Sequence, residues 1–96
     1  MKLTLTQHAT HRAQQRGVPR LIATWLLEYG EERFDGKGGI IRFFNRKSLR
    51  RMERDMGSIP VRRFSEYLRC YLVESSDSGA VITIGKRHPD KRFCRI

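Results

Sequence analysis

This chain has few acidic residues relative to basic ones, and it has no long apolar run. Ten Asp and Glu face twenty Lys and Arg, which leaves a formal net charge of +10. No apolar stretch approaches the length of about 20 residues that spans a bilayer, which excludes a membrane-spanning helix. The opening MKLTLTQHATHR also has no apolar segment of the kind found in signal peptides. We therefore expect a cytoplasmic protein with no membrane partner.

Cysteine and metal-binding motifs are equally sparse. Cys70 and Cys94 fit neither a CxxC redox motif nor a metal-ligand spacing, so we expect two reduced thiols. His8, His11 and His88 have no zinc-ligand spacing, and no Cys joins them. The sequence also lacks a P-loop, a dinucleotide-binding glycine pattern and a nucleophile elbow. We expect no metal and no cofactor.

The excess of positive charge is the strongest compositional signal. Ninety-six residues with 39% hydrophobic content predict one folded domain over residues 1–96. A folded domain this basic is typical of proteins that bind polyanions. Arginine outnumbers lysine, and guanidinium groups make forked contacts to phosphate and stack on bases. RNA or the ribosome is the expected partner, while DNA or an acidic protein remains the alternative, and the oligomeric state stays open.

The N-terminal third of the chain predicts two helices. Residues 3–5 alternate Leu-Thr-Leu and predict a short strand or an extended lead-in. Thr6 is a suitable N-cap for a helix over 7–16, which Gly17 would end. Pro19 can occupy the first turn of a second helix. Its apolar stripe contains Leu21, Ile22, Trp25, Leu26 and Tyr29, and Gly30 ends it.

The remainder predicts two pairs of strands separated by a helix. A glycine-rich turn predicts a hairpin of 32–34 against 40–44. Asn45 and Gly57 would begin and end a helix over 46–56, and Pro60 would then break the chain. The path of residues 46–67 as a whole stays open. Residues 68–74 alternate like a strand, and 76–79 form a turn.

The segment AVITIG, residues 80–85, is a continuous run that predicts a central strand covered on both faces. The polar tail after it would end in a short edge strand. The expected fold is α+β in two layers, with two or three helices packed on a small antiparallel sheet.

One short stretch resembles a known family. His8, Ala9, Arg12, Arg16, Gly17 and Val18 match the pattern His-Ala-x-x-Arg-x-x-x-Arg-Gly-hydrophobic of a family of small bacterial domains without a settled activity. Those domains are distantly related to the RelE/ParE and BrnT toxins. The resemblance implies a RelE/BrnT-like fold, an RNA-directed, toxin-like activity, and an acidic antitoxin-like protein as a partner. Residues 46–68 are longer than the family's usual connection.

The same resemblance suggests a candidate catalytic set. RelE-type ribonucleases use no metal and promote attack of a ribose 2′-hydroxyl on the adjacent phosphate. His8 and His88 would transfer protons, because histidine titrates near neutral pH. Arg12, Lys86 and Arg87 would stabilise developing charge on the phosphate. We expect at least one residue of the first helix to face the same cleft as residues 86–88.

Each member of this set also has a structural interpretation. His8 can simply start a helix, and residues 86–92 can be a solvated loop. Arg12 and Arg16 can form salt bridges with acidic residues at the end of the second helix, namely Glu28, Glu31 or Glu32.

A second basic set is expected to bind nucleic acid without chemistry. Arg46, Arg50 and Arg54 recur at four-residue steps, and Lys47 and Arg51 widen that stripe. Arg16 completes the predicted nucleic-acid-binding residues. The alternative is an ordinary solvated helix face. The expected function is a small basic RNA-binding domain, whose enzymatic version would be a metal-independent endoribonuclease. A non-catalytic module that docks DNA or an acidic protein is the other candidate.

Overall fold

Helices and strands alternate in pairs along the chain, in a computed structural model that describes residues 5–87. Four helices and a short 3-10 turn accompany one antiparallel sheet of four strands, which confirms the predicted α+β class. The elements are α1 (Gln7–Gln15), α2 (Arg20–Tyr29), β1 (Glu31–Phe34), β2 (Gly39–Phe43), α3 (Arg46–Met56), α4 (Ser58–Arg63), the 3-10 turn (Ser65–Tyr67), β3 (Cys70–Ser75) and β4 (Val81–Lys86).

The sheet is a meander, with strands in the order β1-β2-β3-β4. The predicted hairpin is confirmed, since Phe34 lies opposite Ile40 and Glu31 lies opposite Phe43. Asp35 closes its turn by accepting the backbone N–H groups of Lys37 at 2.6 Å and Gly39 at 2.9 Å. These two hydrogen bonds hold the pKa of the Asp35 carboxyl below its usual value.

Within residues 5–87, the prediction that residues 80–85 form a central strand is wrong. Among the described strands β4 pairs with β3 alone, and a single parallel bridge joins Leu5 to Val81 on its other side. Val81 and Ile84 are buried against the helices, while Ile82 is 40% exposed. This apolar run lies at an edge of the described sheet, and Leu5, Thr6 and α1 cover that edge.

The helix boundaries follow the predicted caps closely. The Thr6 hydroxyl accepts the N–H of Ala9 at 3.1 Å at the start of α1. Gly17 has a φ of +63°, the left-handed conformation expected after that helix. The Asn45 carboxamide oxygen accepts the N–H of Ser48 at 2.9 Å, and the Ser48 hydroxyl accepts the N–H of Asn45 at 2.7 Å. This reciprocal capping box starts α3.

Pro60 does not break the chain as predicted. It is the third residue of α4, where the missing N–H needs no partner within the helix. Gly57, with a φ of +86°, ends α3 and immediately precedes α4. The strand predicted at 68–74 begins only at Cys70. The predicted tail strand, and residues 3 and 4 of the N-terminal lead-in, lie outside the described residues.

The core forms where α2 lies on the sheet. Ile22, Trp25 and Leu26 are buried as the stripe predicted, whereas Leu21 is 43% exposed. Leu72 from β3 and Met52 from α3 are fully buried against them. Each side chain of this size contributes about 1.5–3 kcal/mol on burial.

Cys70 is the buried thiol of this core. Desolvation raises its pKa to about 11, although the positive charge of Lys86 opposes the shift. The thiolate is therefore scarce at neutral pH, and Cys70 is a packing residue. Cys94 lies outside the described residues.

Candidate nucleic-acid interface

Leu5, Thr6 and α1 lie along the outer edge of β4. The Thr6 N–H donates to the Val81 carbonyl at 3.0 Å, and the Thr6 hydroxyl donates to the Ile82 carbonyl at 3.2 Å. At the other end of the helix, the Arg16 guanidinium donates to the Ile84 carbonyl at 3.0 Å. Arg16, predicted to bind nucleic acid, thus supplies a donor to an edge carbonyl of the sheet.

Gly85 provides the space for this arginine. A Cβ at position 85 would lie 2.4 Å from the Arg16 Nη1 atom and 2.9 Å from the Tyr71 hydroxyl oxygen. Neither distance is tolerable, so any larger residue would move one or both groups. The arginine near the end of α1 and the glycine of β4 therefore act together to cover the sheet edge.

His8 and Arg12 lie nearer the start of this helix. His8 is exposed, in an open depression that it lines with Leu5 and His11, and Arg12 is half-buried. The salt bridges considered for Arg12 and Arg16 do not occur within residues 5–87. Glu31 lies 3.6 Å from Arg51, and Glu32 lies 3.2 Å from Arg42.

Lys86 and Arg87 lie at the far end of β4. The Lys86 ammonium is 5.4 Å from the centre of the Tyr67 ring. The Arg87 guanidinium donates to the Phe44 carbonyl at 3.4 Å. Lys86 lies five positions further along β4 than Val81, the residue that Thr6 contacts at the start of α1, which is a distance of about 16 Å along the strand.

The described structure therefore does not bring His8 next to Lys86. The start of α1 and the end of β4 are the two opposite ends of the covered edge. Among His8, Arg12 and Arg16, it is Arg16, directly after α1, that approaches the end of β4. Its contact there is the hydrogen bond to the Ile84 carbonyl. His88 lies outside the described residues.

The basic stripe of α3 is a different kind of surface. All five basic residues are exposed, and at 100° per residue they cover an arc of about 140°. Ser48 and Met52 on the opposite side are buried. Within the described part of the chain, four of the five have no ion pair. We name these four the α3 basic arc: Arg46, Lys47, Arg50 and Arg54.

Arg51 has a separate role that its spacing did not reveal. Its guanidinium donates to the Tyr29 carbonyl at 2.6 Å, one of the last carbonyls of α2, besides its contact with Glu31. The Tyr29 hydroxyl in turn donates to the Asp55 carboxylate at 2.9 Å, which raises the pKa of Tyr29. These contacts fasten α3 to α2. The helical rise then places the backbone positions of arc residues four apart at about 6 Å along the axis.

Sequence reasoning also missed an ion network across the sheet. The Arg42 guanidinium lies 2.6 Å from the Glu74 carboxylate and 3.2 Å from that of Glu32. It joins β1, β2 and β3, and Glu74 is buried. The alternation of polar and apolar residues in β2 and β3 marks Arg42 and Glu74 as polar positions. Which residues pair, however, depends on the register between the strands. The network stabilises the association of the three strands, and the Arg42 guanidinium is paired with the carboxylates of Glu32 and Glu74.

Comparisons with protein-family models, curated proteins and solved structures gave no significant match. No helix within residues 5–87 is both long and apolar enough to cross a membrane. The same residues contain no group of three or more His, Cys, Asp or Glu side chains arranged to hold a metal ion.

Proposed function

We propose that this protein is a small RNA-binding domain whose α3 basic arc contacts phosphates. The observation that carries the proposal is the set of four exposed cations on one fixed helix face, with no ion pair to any described residue. Such an array attracts a polyanion, and each neutralised phosphate releases counterions. The choice of RNA rests on the predominance of arginine and on the resemblance of residues 8–18 to a family of small domains that is distantly related to RNA-directed toxins.

RNA binding has better support than RNA cleavage, the activity that the candidate catalytic set would perform. Phosphoryl transfer requires a proton acceptor and cationic groups around one phosphate, within a few ångströms. His8 and Lys86 lie at opposite ends of the edge strand, and Arg16 is bound to the sheet. We therefore assign no chemistry to these residues in the proposed function.

The test is RNA binding measured by fluorescence anisotropy at several salt concentrations. In the Arg46→Gln/Arg50→Gln/Arg54→Gln variant, the slope of log K against log salt should decrease in magnitude by roughly 2–3, because each phosphate contact contributes about 0.7–0.9. Circular dichroism verifies that the variant is folded.

A matched control removes the same charge elsewhere. Arg20, Arg33 and Lys37 are exposed and lie outside α3, so their replacement by Gln should change the slope by much less. Equal effects of the two triple variants would mean that RNA responds to net charge alone. That result would refute the α3 basic arc as the binding surface.

A further inference from the structure

The aromatic rings of the described residues are almost all occupied within the fold. Trp25, Phe43 and Phe44 are buried. Phe64 packs edge-on against Trp25, with ring centres 5.4 Å apart, and Tyr67 has the Lys86 ammonium over its ring. Proteins that bind single strands combine a basic groove with aromatic side chains on which bases stack. The α3 helix itself contains no aromatic residue. Tyr29 of α2 lies against α3, but it is half-buried and its hydroxyl donates to the Asp55 carboxylate at 2.9 Å.

Phe34 is the exposed ring, at 70% exposure, but it is poorly placed for this role. It lies at the hairpin end of β1, next to Asp35 and opposite Ile40. The α3 helix begins beyond the other end of β2, about 13 Å along the strand from Ile40. The carboxylates of Glu32 and Asp35 near the ring also repel phosphate, so a strand on the arc would not reach Phe34 favourably.

The arc is instead suited to two rows of phosphates. It is a convex ridge about 12 Å long from Arg46 to Arg54, with cations spread over about 100° of the helix circumference. A double helix presents phosphates on both sides of a groove, and double-stranded RNA is recognised mainly by shape and backbone. The fixed attachment of α3 through Arg51 and Asp55 also avoids ordering the helix on binding.

We infer that the α3 basic arc recognises a double-helical segment of RNA, through its backbone and independently of sequence. This inference rests on the proposed function and specifies the form of RNA bound. Recognition by shape predicts that sequence changes within a duplex matter little. It also predicts that removal of the exposed ring, Phe34→Ala, leaves duplex binding unchanged.

The test compares an RNA duplex of about 16 base pairs with its two separate strands and with the same sequence as DNA, at one salt concentration. We expect the RNA duplex to bind about tenfold more tightly than either strand, since α3 itself carries no aromatic ring on which a base could stack. The Arg46→Gln/Arg50→Gln/Arg54→Gln variant should lose this preference. Phe34→Ala should keep it.

The outcomes separate the inference from the proposed function. Equal or tighter binding of the single strands, still dependent on the arc, would overturn the inference and leave RNA binding intact. Equal binding of the DNA duplex would overturn the preference for RNA geometry. Absence of salt-dependent binding to every RNA would overturn the proposed function itself.

Discussion

The contact between Arg16 and Gly85 can be tested with a double-mutant cycle. Arg16→Ala removes the hydrogen bond from the guanidinium to the Ile84 carbonyl, which measures 3.0 Å. Gly85→Ala places a methyl group 2.4 Å from the same Nη1 atom, so Arg16 has to move away. Both single variants therefore lose the same interaction by different routes.

The structure sets the size of each effect. A hydrogen bond with a charged donor contributes about 1.5–3 kcal/mol when shielded, and the exposed position of Arg16 reduces this to about 1 kcal/mol. Gly85→Ala should cost slightly more, because the Tyr71 hydroxyl at 2.9 Å must also shift. In the Arg16→Ala background only that second cost remains. The double variant should thus be about 1 kcal/mol more stable than the sum of the single effects predicts.

The assay is urea unfolding followed by circular dichroism, with the free energy of unfolding extrapolated to water. A loss of about 1 kcal/mol corresponds to a fall in Tm of roughly 4–8 °C in a domain of this size. Additive effects, within about 0.3–0.5 kcal/mol, would refute the reasoning. They would mean that Arg16 does not hold the position over Gly85 in solution.

Two further predictions concern single residues. Gly17→Val should destabilise the domain by about 1–2 kcal/mol, because valine is strained at the φ of +63° that Gly17 adopts. A clash is not the cause, since a Cβ at this position meets nothing within 4 Å. Gly17→Asn should destabilise it less, and equal losses of Tm in the two variants would contradict this explanation. The second prediction uses a Cys94→Ser variant, which leaves Cys70 as the one thiol. Burial raises the pKa of Cys70 from 9.0 to about 11, so above pH 9 the folded state keeps a proton that the unfolded state releases. The free energy of unfolding should therefore fall as the pH rises from 9 to 11. Rapid reaction of the native variant with a thiol reagent at pH 8 would argue against the burial.

Local features of the fold were predictable because their causes lie within a few residues. The caps at Thr6 and Asn45 and the ends at Gly17 and Gly57 depend on side chains and backbone angles in one turn of chain. The hairpin likewise follows from its glycine-rich turn. The basic stripe of α3 was predictable for the same reason, since the helical repeat places residues four apart on one face.

Tertiary structure decided the rest. Whether residues 80–85 form a central or an edge strand depends on which elements pack beside them, and α1 covers an edge that composition alone cannot distinguish from a sheet interior. Arg51 and the arc residues have the same spacing, yet Arg51 meets the end of α2 and the arc does not. The spacing of Arg12 and Arg16 predicted that both lie on one helix face. That Arg16 contacts the sheet edge, and that His8 lies far from Lys86, follows from the packing of α1 along β4. Each of these outcomes requires contacts between residues distant in sequence, and such contacts form only when the whole chain packs.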